Sequence, residues 1–233
     1  MEKRKQFFFA LALVGLTACG SVAVDGPAEM EEDIKCVALT FDDGPKAGTT
    51  GRLLDGLKER DASATFFLVG EQIEANKDLV ARMRDEGHQI GNHTWSHQRL
   101  ENAGPELISQ EITRTEDYLE TLLGGGKYWL RPPYGIVSPA TEEQITVPMV
   151  KWSVDPRDWE SRNTEKIVQD VLQDVQPNSI ILLHDIYPTS VDAALQIVDT
   201  LAKEGYWFVT VEELLRLNGV EPQAGRMYRS GTG

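Results

Sequence analysis

The chain has 233 residues, 23 Lys and Arg against 37 Asp and Glu, a formal charge of −14 and 41% apolar residues. So acidic a surface argues against nucleic acid and other polyanions as partners and says little about a neutral or cationic glycan. The length and apolar content suit one hydrophobic core, and one domain better than two.

Taken in chain order, the first segment reads as an export signal. Lys3-Arg4-Lys5 supplies a basic start, residues 7–16 an apolar stretch too short to span a bilayer, and Leu16-Thr17-Ala18-Cys19 a small-residue cleavage site. The cysteine after the small residues resembles a bacterial lipobox. It implies a signal peptide over residues 1–18, lipid on the Cys19 thiol and a tether over residues 19–33. The protein is then expected at the outer face of the cell membrane, or on the periplasmic side in a Gram-negative host, anchored without crossing. Losing residues 1–18 removes three basic and one acidic side chain, which moves the formal charge from −14 to −16. Cys36 is then the only thiol left and lies in an apolar run, so it is expected to be buried and inert.

Residues 34–218 alternate short β-branched or aromatic runs with helical patterns. Strands are predicted at 35–41, 64–69, 89–90, 127–130, 149–152, 179–183 and 207–209. Of the helices between them, one carries Ile108, Ile112, Thr115, Leu119 and Leu122 on one face after Pro105. A second carries Ile167, Val168, Val171, Leu172 and Val175 after a cap at Thr164, and a third Val191, Ala194, Leu195, Val198 and Leu201. Residues 136–147 suggest only a short, irregular helix, and residues 219–233 a flexible tail. The βα alternation predicts an α/β fold, either a parallel barrel or a doubly wound sheet, expected as a monomer.

The polar clusters fall just past the predicted strands. Asp42-Asp43 follows the first, His93 and His97 the third, Arg131 and Tyr134 the fourth, Asp155, Asp158 and Trp159 the fifth, and His184-Asp185 the sixth. In parallel α/β folds these carboxyl ends share one face, where active sites are assembled. Neighbouring residues leaving a strand diverge, so Asp42 and Asp43 can do two jobs at one place, one holding a metal and the other accepting a proton. On a helical turn, His93 and His97 would come within about 5–6 Å of each other. Two imidazoles and a carboxylate as the only protein ligands leave positions open for water, as a catalytic metal site requires. The carboxylate not on the metal and His184 are the candidate base and acid, which Arg131 and Asp158 can orient through charged hydrogen bonds. Trp159 and Leu183 flank the site and suggest a small apolar pocket. His88 precedes its strand and is read as structural.

The motifs Thr40-Phe-Asp-Asp43, His93-Thr-Trp-Ser-His97, Arg131-Pro-Pro-Tyr134, Asp155-Pro-Arg-Asp-Trp159 and Leu183-His-Asp185 resemble, in order, those of the polysaccharide deacetylases of carbohydrate esterase family 4, the NodB-homology domain. The resemblance implies a distorted (β/α)7-8 barrel and metal-dependent removal of acetyl groups from N-acetylhexosamines of a glycan, peptidoglycan or a chitin-like oligosaccharide. It assigns Asp43, His93 and His97 to a divalent metal, usually Zn2+, with Co2+, Ni2+ or Mn2+ as substitutes. By the same resemblance Asp42 is the base, supported by Arg131, and His184 the acid, supported by Asp158. The Tyr134 backbone N–H is an oxyanion donor, and Trp159 and Leu183 line the acetate methyl pocket. An acetyl xylan esterase of the same family is the enzymatic rival. A non-catalytic glycan-binding lipoprotein is the rival of another class, whose signature would be a missing ligand, base or acid.

Overall fold

The computed structural model describes residues 34–233. The export segment, Cys19 and the tether lie outside the described residues. Seven strands follow in order: β1 (Lys35–Asp42), β2 (Thr65–Leu68), β3 (Gln89–Asn92), β4 (Met149–Val150), β5 (Ile180–His184), β6 (Tyr206–Phe208) and β7 (Met227–Tyr228). All their ladders are parallel. β5 runs along β1, while β2 pairs the C-terminal half of β1 and β6 its N-terminal half. From β2 the sheet passes to β3. Single bridges then carry the ring onward from Asn92 to Leu130 and from Leu130 to Met149; β4 pairs β7, and Val154 bridges back to Ile181 in β5. The circuit is a distorted (β/α) barrel. Its weakest stave is the predicted strand at 127–130, where Leu130 alone bridges its neighbours. Pro132 and Pro133 follow at once, and proline cannot donate to a ladder.

β1 is apolar throughout because both of its faces are covered. Val37, Leu39 and Phe41 pack outward on Leu53 and Leu57 of the helix Thr50–Glu59 and on Ala194 and Ile197 of the helix Pro188–Lys203. Cys36 and Ala38 face inward with Phe67, Val150, Leu214 and Tyr228. Each large side chain so buried contributes about 1.5–3 kcal/mol. The helix Val211–Leu217 closes the lower end of the barrel. Its Val211 and Glu212 N–H groups donate to Thr65 Oγ1 and Gln89 Oε1 at the starts of β2 and β3, both at 3.0 Å. The carboxyl ends of the strands are thereby left as the open face. No helix among the described residues is long and apolar enough to cross a membrane.

Three local readings change. The helix beginning at Pro105 runs on to Leu123 but contains a π turn, Ser109–Thr113, where Asn92 Nδ2 donates to the Ile112 carbonyl at 2.9 Å. A side chain entering the helical ladder is a recognised cause of such a break. The second helix is capped by Asn163, not Thr164; the Asn163 side chain accepts from Lys166 N at 2.9 Å. The largest change concerns residues 219–233, which are not a loose tail: β7 pairs β4, Tyr228 is fully buried, and Ser230 bridges Ser179. One buried tyrosine anchors a stretch whose other residues look like a terminus. By contrast, residues 136–147 hold a short helix, Pro139–Glu142, capped by Ser138.

Candidate active site

The residues singled out above converge on the open face, with one exception. Asp42 ends β1 and is a Cα register partner of His184 at the end of β5. Arg131 is fully buried inside the barrel between Phe67 and Trp152, its Cζ 4.1 and 5.6 Å from the two ring centroids. Its Nη1 donates to Asp42 Oδ1 at 2.7 Å and to Thr40 Oγ1 at 2.8 Å, and its Nη2 to the Lys151 carbonyl at 3.0 Å. Burial works to raise the Asp42 carboxyl, but Arg131, joined by His93 and His184, prevails and holds it below the usual carboxylate range. Asp42 is therefore ionised at neutral pH.

His184 is set up in the opposite sense. Asp158, fully buried at the start of the short helix Asp158–Ser161, takes the His184 backbone N–H on Oδ2 at 2.8 Å and faces Nδ1 with Oδ1 at 2.7 Å. Burial disfavours the charged ring, yet the Asp158 hydrogen bond and charge, with Asp42 and Asp43, raise it to about 9. The imidazolium is the resting form at neutral pH.

Between this acid and base lie Asp43, His93 and His97, whose ligand atoms all fall within 4.8 Å of one another. His97 Nε2 is 3.3 Å and His93 Nε2 3.6 Å from Asp43 Oδ1, close to the separation of about 3.3 Å set by tetrahedral ligands with bonds near 2.0 Å. The His93 Nδ1 lies 2.6 Å from the Arg131 carbonyl, which fixes the proton there and turns the Nε2 lone pair toward the cluster. Burial, aided by His93, lowers His97 below its ordinary value, which favours the neutral ring that a ligand must offer. Asp43 Oδ1 is buried with no hydrogen-bond partner among the described residues, a cost that a bound cation removes. The three side chains thus fit a divalent metal.

The histidines do not meet on a helical turn. His93 follows β3, and the loop beyond it carries positive φ at Thr94 (67°) and His97 (59°), which brings the rings to 4.9 Å. Asp43, Tyr134, Arg157 and Arg162 also have φ between 47° and 70°. Strained backbone of this kind gathers at functional sites. Sequence reasoning missed the group that holds the histidine loop, Glu111. This buried carboxylate, in the π turn, takes the Ser96 N–H at 2.9 Å and the Ser96 hydroxyl at 2.7 Å. Its signal was present: an acid on the apolar face, between Ile108 and Thr115.

Tyr134 is 49% exposed, with its ring 5.0 Å from that of His97, and Trp159, 44% exposed, stands beside Asp158. Leu183 is the exception. β5 alternates sides, and Leu183 points outward into the core shared with Phe41 and Val191, where it is fully buried. Leu182 shares the His184 side of the strand, so the leucine nearest the site is one residue earlier than expected. His88 lies at the closed end, where its Nδ1 accepts from Ala64 N at 3.2 Å and burial lowers it to about 4. Cys36 is buried and has no disulfide among the described residues, and burial raises its thiol.

A sequence model of polysaccharide deacetylases matches residues 29–147. The chain belongs to the polysaccharide deacetylase family. It is 40% identical over 180 residues to the peptidoglycan-N-acetylmuramic acid deacetylase PdaC of Bacillus subtilis, covering 77% of this chain and 38% of that one. It is 37% identical over 194 residues to the peptidoglycan-N-acetylglucosamine deacetylase PgdA of Listeria monocytogenes, covering 83% and 41%. The chain therefore spans roughly two fifths of the length of these curated relatives. Among solved structures, a T48 deacetylase with substrate aligns with a TM-score of 0.80 and 41% identity over 84% of this chain and 96% of that one. A family 4 acetyl xylan esterase from Clostridium thermocellum, in complex with cobalt, aligns with a TM-score of 0.80 and 36% identity over 84% and 98%.

Proposed function

We propose that the protein is a metal-dependent hydrolase that removes acetyl groups from N-acetylhexosamine residues of a glycan, with peptidoglycan first and chitin-like oligosaccharides second. The observation that carries this reading is the pairing of an ionised Asp42 with a cationic His184 on adjacent strands beside a three-ligand cluster. A divalent ion on Asp43, His93 and His97, with zinc as the first choice, supplies Lewis acidity to the reacting oxygens. Asp42 takes the proton of the attacking water as the new C–O bond forms. His184 gives its proton to the amide nitrogen as the C–N bond breaks, so acetate and a free amine leave. The Tyr134 backbone N–H donates to the acyl oxygen as charge builds on it. Trp159 and Leu182 present apolar surface to the acetyl methyl.

The test is acetate release from defined glycans after chelation and reloading with single metals. Activity should return with a divalent ion and be absent in D43A and H184A, both folded by circular dichroism. Acetate release by either variant at the wild-type rate would overturn the assignment. The likeness to the acetyl xylan esterase supports a second reading, ester cleavage on xylan, and parallel assays on acetylated xylan and N-acetylated glycans separate the two. A glycan-binding protein without activity is disfavoured because ligands, base and acid are all present.

The basic start, apolar run and Leu16-Thr17-Ala18-Cys19 support export and lipid attachment at Cys19, which would hold the enzyme beside the wall. Labelled fatty acid should enter the wild-type chain and not C19A.

A further inference from the structure

Two arginines flank the mouth of the site. The protein carries −14, yet a guanidinium stands on either lip. On one side the Arg99 Cζ lies 4.0 Å from the Tyr134 ring centroid, and that ring 5.0 Å from His97. On the other the Arg162 Cζ lies 3.9 Å from the Tyr187 ring centroid, and that ring 6.4 Å from His184. Each imidazole is followed outward by an aromatic ring and then by an arginine.

The two cations are poorly neutralised. Arg99 has one carboxylate contact, with half-buried Glu101 at 3.4 Å. Arg162 has none among the described residues. Its Nε donates to the Trp159 carbonyl at 3.0 Å, its backbone N–H to the Asp158 carbonyl at 3.0 Å, and its φ is 47°. On the outer helices, by contrast, Arg52, Arg60 and Arg82 each meet an aspartate. Tied down through Nε and stacked on Tyr187, Arg162 keeps both Nη groups without a hydrogen bond among the described residues, and that free edge is the fork that binds a carboxylate in two-point fashion. A stacked surface arginine can be no more than a shield for its ring, but a shield requires neither the αL turn that aims this one nor a second cation across the site.

We infer that Arg162, with Arg99 opposite, receives a carboxylate carried by the sugar strand, so that the site prefers an anionic N-acetylated glycan to a neutral one. The inference rests on the deacetylase reading above. Two sources offer this chemistry: a lactyl ether on the hexosamine itself, and the carboxylates of a peptide attached to it.

The test uses the full chain loaded with one divalent metal and four glycans of equal sugar length: a peptide-free strand with lactyl carboxylates, the same strand with those groups amidated, a peptide-bearing strand, and a neutral N-acetylglucosamine oligomer. Wild type should favour the carboxylated strand over its amidated form by about ten-fold in kcat/KM, a charge-assisted hydrogen-bond pair's worth. R162Q should lose that preference through KM, and R162K should keep only part of it. If the preference appears only with the peptide-bearing strand, the carboxylate is the peptide's; if it appears without peptide, it is the lactyl group's. Equal kcat/KM for carboxylated and amidated strands in wild type, with and without peptide, or equal losses in R162Q on all four glycans, would overturn the inference. Should wild type release no acetate at all, the deacetylase reading fails separately. Calorimetric binding of the same strands then decides, with about ten-fold weaker binding of a carboxylated strand by R162Q expected and unchanged binding overturning.

Discussion

Asp42 and His184 are partners in the β1–β5 register, and each is held on its other side by the opposite charge, Arg131 at 2.7 Å and Asp158 at 2.7 Å. Parallel pairing thus places an ionised acid and a charged imidazole one strand spacing apart, about 4.8 Å of backbone. The two outer partners keep the pair from simply neutralising itself, which leaves one free to take a proton and the other to give one.

Replacing Asp158 should alter how stability varies with pH. In the folded chain His184 keeps its proton up to about 9, above its ordinary 6.5, because the burial that opposes the charge is outweighed by Asp158 together with Asp42 and Asp43. A raised folded value gives stability that is complete below the unfolded value and is lost as pH climbs through the folded one. In metal-free protein the melting temperature should therefore fall between about pH 6.5 and 9, and D158N should flatten that fall. An unchanged slope in D158N would place the titration on another group.

Removing Arg131 should unfold the protein more readily than its size suggests. R131M strands the buried Asp42 carboxylate and should cost about 3–5 kcal/mol in urea denaturation. R131K should recover less than half of this, since an ammonium cannot serve Thr40, Asp42 and the Lys151 carbonyl from one plane. A loss below about 1 kcal/mol for R131M would show that Asp42 is compensated from elsewhere.

At Gly44 the obstacle to a side chain is Asp185. The fully buried Asp185 carboxyl occupies the space a Cβ at residue 44 would need, and it is hydrogen-bonded to Thr50 Oγ1, which in turn accepts from Lys46 N at 2.8 Å. Burial, against the Thr50 bond, pushes this carboxyl up to about 7. G44A should cost about 1–3 kcal/mol by overpacking and weaken metal binding through the adjoining Asp43. D185A opens that space, so the double variant should be more stable than the sum of the single losses predicts. Strict additivity in a denaturation cycle would refute the contact.

Glu111 should govern metal affinity without touching the metal. E111A removes both of the hydrogen bonds by which the carboxylate holds Ser96, one from its N–H and one from its hydroxyl. A ten- to hundred-fold rise in the zinc dissociation constant, measured by chelator competition, is expected from loosening such a support. Unchanged affinity would mean that the loop between His93 and His97 holds its shape unaided.

How much could be read in advance divides along physical lines. Motif residues at strand ends were legible because side-chain chemistry and strand position coincide there, as with Asp42, His93, Arg131 and His184. Leu183 went astray because an apolar run in a parallel sheet shows no alternation, so nothing in Ile-Ile-Leu-Leu marks which leucine faces the site. Asn92 and Glu111 were hidden because their roles are to bind a distant carbonyl and a loop N–H, contacts that exist only once helix and strand have docked. Tyr228 was lost in a polar terminus for the same reason: its burial depends on β4, far earlier in the chain.

That last pairing ties the ring to a segment distant in sequence. Among the described residues the only ladder β4 makes is with Met227 and Tyr228, far later in the chain. Removing Met227 and Tyr228 would therefore take away the ladder of β4 and uncover Val150 in the inner core, although neither residue belongs to the site.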